Sequence, residues 1–235
     1  MAINVPVFLL GLLLLWIPRP WMRFGAILGR RRRRNSGGAW KQEPWNRQES
    51  GDLRLSFRAE FTKARNYLDL LRAATGALVI IGGYQVQPAL AAAAGATRFV
   101  TQEVLVVKIA VLLVGVLLQT LRYEHRRVTF FAPVFFLAGL SVILCGYWSA
   151  LFAFIFVWGV NSVFNNAQAF LTVYALLLAA FGLLFKAANY RFAPAVNFRF
   201  VIAAALFCFL PVLLSLMTGR RLGVFTRKGA HMRKM

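Results

Sequence analysis

VTFFAPVFFLAGLSVILCGYWSALFAFIFVWGVNSVFNNAQAFLTVYALLLAAFGLLF, residues 128–185, holds no charged side chain between Arg127 and Lys186. A soluble core helix or strand needs neither this length nor this uniformity, because one of its faces must meet water. The run belongs in a bilayer. As one helix, residues 128–163 would reach about 50 Å, well beyond a hydrocarbon core of about 30 Å. The break falls at Cys145, Gly146, Tyr147 and Trp148, where a glycine stands beside two aromatics that favour the membrane interface. A second break falls at the amides of Asn161, Asn165, Asn166 and Gln168. The run therefore predicts three crossings, at residues 128–145, 149–163 and 169–185.

Working outward, residues 3–17 are apolar apart from Asn4 and stop at Pro18, with Arg19, Arg23 and Arg30 to Arg34 following in place of a small-residue cleavage site. They read as an uncleaved anchor that uses Trp16 as an interfacial residue. In residues 56–72, Phe57, Phe61, Ala64, Leu68 and Leu71 recur at helical spacing, with Arg58, Lys63, Arg65, Asn66 and Asp69 between them. This predicts an amphipathic helix lying in the headgroup plane, apolar face down. Further spans are expected at residues 73–94, 104–121 and 198–217. The second of these carries Lys108, and the first an unusual load of Gly76, Gly82, Gly83, Gln85, Gln87 and Pro88. The predicted fold is an all-α, polytopic transmembrane helical bundle of about seven spans, six being the alternative. It divides into an anchor (1–17), a basic loop with the amphipathic helix (18–72), a six-span body (73–217) and a basic tail (218–235).

The chain has 235 residues, is 60% hydrophobic and carries 28 Lys+Arg against 7 Asp+Glu, a formal net charge of +21. Seven spans with the N-terminus outside put 23 of the 28 basic residues on the cytoplasmic side, in agreement with the positive-inside rule. The expected location is a plasma (inner) membrane, with the C-terminus cytoplasmic. A six-span reading moves the basic tail outside and fits less well. Nucleic-acid binding is disfavoured, since little chain remains to build a soluble basic module. The run Arg30, Arg31, Arg32, Arg33 and Arg34 is instead a candidate contact for anionic headgroups of membrane lipids.

The acids are Glu43, Glu49, Asp52, Glu60, Asp69, Glu103 and Glu124, none in the middle of a predicted span. The sequence shows no DxxD pair, HExxH, GxSxG or P-loop. His125 and His231 lie outside the apolar runs, which removes bis-histidine haem ligation within the bilayer, and Cys145 and Cys208 sit inside such runs as small hydrophobes. No catalytic, cofactor-binding or metal-ligating set is assigned, and an enzyme is disfavoured. The candidate polar intramembrane or interfacial residues are Gln85, Gln87, Glu103, Lys108, Asn161 and Asn165. Small residues at helical spacing, Ala175, Ala179 and Gly182 in one seam and Ala138, Ser141 and Cys145 in another, suit close helix contacts. The expected role is a non-catalytic subunit, scaffold or assembly factor with a membrane-protein partner or a second copy of itself. The alternatives are a small-solute transporter or channel using those polar groups and, behind it, an interfacial lipid-modifying enzyme.

Overall fold

The structure is a computed structural model that describes residues 2–3, 5–18, 55–85, 97–124, 127–164, 166–187, 198–219 and 222–223. In chain order they form β1 (Ala2–Ile3), α1 (Val5–Trp16), α2 (Phe57–Phe61), α3 (Ala64–Gly83) and β2 (Tyr84–Gln85). There follow α4 (Thr97–Thr120), β3 (Leu121–Glu124), β4 (Arg127–Phe131), α5 (Val134–Leu144) and α6 (Tyr147–Gly159). A 3-10 turn (Asn161–Val163), α7 (Ala167–Ala187), α8 (Phe198–Thr218) and β5 (Leu222–Gly223) complete the order.

Three segments are long and apolar enough to cross a membrane: Glu103–Thr120 within α4, Ala167–Ala187 and Phe198–Thr218. They are the signature of a membrane protein. Val5–Trp16, Val134–Leu144 and Tyr147–Gly159 are apolar but shorter. At 1.5 Å per residue the last two rise only about 16–20 Å each, less than the hydrocarbon core.

The uncharged run divides where its glycine and amides predict, but its first piece is not one helix. Residues Arg127–Phe131 are extended, pairing antiparallel with β3 in the register Leu121↔Phe130 and parallel with β5 in the register Phe130↔Leu222. The Ala132 amide continues the ladder to the Gly223 carbonyl at 3.0 Å. Pro133, which has no amide hydrogen, then precedes α5. Non-helical backbone is tolerable at membrane depth only where protein covers it, and Phe130, Phe131 and Ala132 are all buried. Between α5 and α6 the chain turns at Gly146, whose φ of 83° and ψ of 153° are open essentially to glycine alone.

Helix α5 is the centre of the molecule. It packs against α3, α6 and α8, while α1 lies against α3 and α4, and α7 against α6 and α8. Every residue from Phe130 to Ser141 is buried, which is the mark of a helix surrounded by others. Small residues let the backbones meet. A Cβ at Gly139 would strike the Leu70 carbonyl, one at Gly76 would come within 2.8 Å of Leu15, and one at Gly182 would strike Val201. The expected seams sit in this packing, with Ala138, Ser141, Cys145, Ala175 and Gly182 all buried.

The amphipathic stretch corrects the sequence expectation. A helix over 56–72 separate from the next span is not what forms: α3 runs without interruption from Ala64 to Gly83 and crosses the boundary at residue 72. Part of the polar face also turns inward, although Arg58 and Arg65 stay exposed and Phe61 packs on the core. Leu68 and Leu71 are 56% and 58% exposed, whereas Asn66, Asp69 and Arg72 are 1%, 3% and 8% exposed. The periodicity was legible, but the side facing the bundle is the polar one. A membrane protein can turn apolar residues outward to lipid and shelter polar ones among its helices. The Trp16 indole donates to the Val111 carbonyl at 3.1 Å and ties α1 to α4.

Candidate functional site

The densest polar arrangement lies where α1, α3 and α4 converge. Pro18 follows α1 closely and has no amide hydrogen to give to the end of that helix, whose last carbonyls are open to donors from elsewhere. Gln119, in the last turn of α4, gives its side-chain amide to the carbonyls of Leu15 at 3.1 Å and Ile17 at 2.9 Å. Arg72 of α3 also donates to the Ile17 carbonyl, and to the Gln119 side-chain oxygen at 2.7 Å. Its Nε meets Asp69 Oδ1 at 2.9 Å, one turn earlier on the same helix. The Phe136 ring of α5 lies 5.3 Å from the guanidinium carbon, within cation–π range. The site thus joins a buried cation, its carboxylate and an amide to the C-terminal end of a helix, where positive charge is stabilising.

A second polar knot precedes it. The Asn66 amide donates to the Glu60 carbonyl at 2.8 Å and to Glu60 Oε2 at 2.7 Å, and Lys63 pairs with Glu60 Oε1. These bonds hold α2 against the start of α3. Phe61 of α2 then reaches Phe135 and Trp158, at ring-centroid distances of 5.3 and 5.2 Å. Deeper in the bundle, Ser141 and Tyr174 share a hydroxyl–hydroxyl bond of 2.7 Å, and Gln168 donates to Ser215 at 2.7 Å.

The residues singled out from sequence do not converge. Lys108 donates to the Ile81 carbonyl at 2.6 Å, near the C-terminal end of α3. Asn161 donates to the Leu55 carbonyl at 2.7 Å, before that helix begins. These anchoring points lie near opposite ends of α3, whose twenty residues rise about 30 Å. Glu103 is exposed on α4, and Gln85 lies in β2, where its backbone pairs with Ala2. Gln87, Asn165 and Arg30, Arg31, Arg32, Arg33 and Arg34 fall outside the described residues. Among the described residues no group of three His, Cys, Asp or Glu side chains is arranged to hold a metal ion. Sequence reasoning missed Arg72 and Gln119. The signal available was a basic and an amide side chain at the edges of apolar helices, which reads equally well as snorkelling.

Comparison with protein-family models, with curated proteins and with solved structures gives no match.

Proposed function

We propose that this chain is a non-catalytic integral membrane protein: a subunit, scaffold or assembly factor of a membrane complex. The observation that carries the reading is the Arg72–Asp69–Gln119 cluster. Its donors are directed at the chain's own carbonyls, at Leu15 and Ile17, so its strongest polar groups brace helices together. Ser141 with Tyr174 and Gln168 with Ser215 act in the same sense, between α5 and α7 and between α7 and α8. The small-solute carrier is the weaker reading, because Lys108 is anchored to Ile81 near the end of α3 and Asn161 to Leu55, before α2 and α3 begin.

The arrangement we propose has seven crossings, with the N-terminus outside and the C-terminus cytoplasmic in a plasma (inner) membrane. Two observations support an odd number. β1 pairs with β2, so the start of α1 and the end of α3 share one end of the bundle. Ile17, Arg72 and Gln119 meet toward the other, where β3, β4 and β5 also join. The segments 18–54 and 224–235 leave from that second end and are strongly basic, as cytoplasmic segments are. In this reading Arg30 to Arg34 lie against anionic headgroups.

The test is purification from native membranes in mild detergent after cross-linking, with the particle mass read by native mass spectrometry. The expected particle exceeds the 26.4 kDa chain and contains a defined partner or a second copy. A strictly monomeric particle that moves a solute in proteoliposomes overturns the proposal in favour of the carrier.

A further inference from the structure

An apolar groove of about 450 Å³ runs along the outer surface between α4 and α8. Ile109 and Leu113 form one wall, Ile202, Leu206 and Leu210 the other, and Arg199 is the charged residue in the lining. Both flanking helices contain segments able to cross a membrane, and Ile202 and Leu206 are exposed, so the groove opens outward. From Arg199 to the farthest lining residue, Leu213, α8 rises about 21 Å, against about 15 Å for one leaflet's half of the hydrocarbon core. The groove is therefore long enough to span the acyl region of one leaflet and carries a cation at one end.

A second positive group stands near that end, outside the lining itself. Lys186, in the last turn of α7, sits 5.0 Å from the ring centroid of Phe198, the residue before Arg199. The first turn of α8 adds the partial positive charge of a helix N-terminus. Glu103 is exposed on α4 and is not part of the lining. In the seven-crossing arrangement Lys186 and Arg199 stand on the side opposite the basic loop and tail, where orientation alone does not call for them.

We propose that this groove holds one acyl chain of an anionic glycerophospholipid, with its phosphate at Arg199 and Lys186 and the chain along Ile202, Leu206 and Leu210. A guanidinium matches the phosphate of either lipid, and selectivity comes from net charge: the choline of phosphatidylcholine would add another cation beside Arg199 and Lys186, whereas phosphatidylglycerol adds none. The proposal rests on the chain lying in a bilayer and does not depend on the scaffold role, so either can fail alone.

The experiment is native mass spectrometry of the purified full chain exposed to equal phosphatidylglycerol and phosphatidylcholine, comparing wild type with three variants. Wild type should retain phosphatidylglycerol preferentially. Arg199→Gln with Lys186→Gln should reduce that preference by about tenfold or more, since one charge-assisted contact alone is worth about tenfold. Leu206→Trp, placing a bulky ring at an exposed position in the groove, should reduce retention of both lipids. Replacing Arg30 to Arg34 by Gln should leave the preference in place. The proposal is overturned if wild type holds both lipids equally, if the Arg199 and Lys186 substitutions change nothing, or if only the five-arginine variant loses the preference.

Discussion

Helices α3 and α5 pack directly on each other and solve opposite problems. α5 is apolar on every side and is buried on every side, with Phe135, Phe136, Leu137 and Leu140 at 4% exposure or less. α3 is apolar on the side it exposes and polar at the start of the side it buries, where Asn66, Asp69 and Arg72 lie; small residues, Ala73, Gly76 and Ala77, continue that face. The difference teaches how this bundle separates two tasks. Apolar packing around α5 fills space, while α3 carries the directional bonds that fix its neighbours in register, since a hydrogen bond has a geometry that dispersion contacts lack.

The largest expected effect tests the polar side of that comparison. Arg72→Met removes the buried ion pair of Asp69 and a donor to the Ile17 carbonyl, with an expected loss of about 3–5 kcal/mol. It should appear as a lower thermal midpoint in detergent, and adding Asp69→Leu should recover much of it. An unchanged midpoint would show that the cluster is not bracing the fold. Next comes the apolar side. Gly139→Ala places a methyl against the Leu70 carbonyl and should destabilise by about 3 kcal/mol, at the upper end for overpacking. Gly82→Ala on α3 meets nothing within 4 Å and should leave stability unchanged or raise it by about 0.5–1 kcal/mol. Equal losses at both glycines would mean that helix contact is not what distinguishes them.

Smaller effects sharpen the picture. Ser141→Ala leaves the buried Tyr174 hydroxyl without that partner and should cost about 1 kcal/mol, with Tyr174→Phe in the same background adding little further. Fully additive losses in this double-mutant cycle would rule the bond out as the source. Lys108→Met should cost about 0.5 kcal/mol, the scale of a single interhelical bond in a membrane protein. A loss as large as that of Arg72→Met would move Lys108 into the bracing network.

Much of the helical layout was legible. The turn at Gly146 follows from a run too long for one crossing and from a glycine where the chain must reverse, and α7 and α8 begin and end within a few residues of the positions expected. The extended entry to α5 was not legible. Val128, Thr129, Phe130 and Phe131 are β-branched or aromatic and suit a strand, but within an uncharged run they read equally well as helix. What decides is pairing with Leu121–Glu124 and with Leu222–Gly223, the latter about ninety residues away in sequence. The candidate polar residues show the same limit, because a single chain displays which amides and lysines stand within or beside apolar runs but not which carbonyl each one meets.

The sequence by itself determined the solvent and the segmentation. Uncharged length requires a bilayer, helical periodicity marks α3 as two-faced, and Gly146 and Pro133 punctuate the run. Only the tertiary structure decided which face of α3 turns inward and what Arg72 binds. The physical reason is that periodicity records a difference between two faces without recording which solvent each one meets. In water the apolar face goes in, whereas beside lipid a polar face can go in if partners await it. Those partners, the carbonyl of Ile17 and the side-chain oxygen of Gln119, lie far from Arg72 in sequence and meet it only when the bundle is assembled.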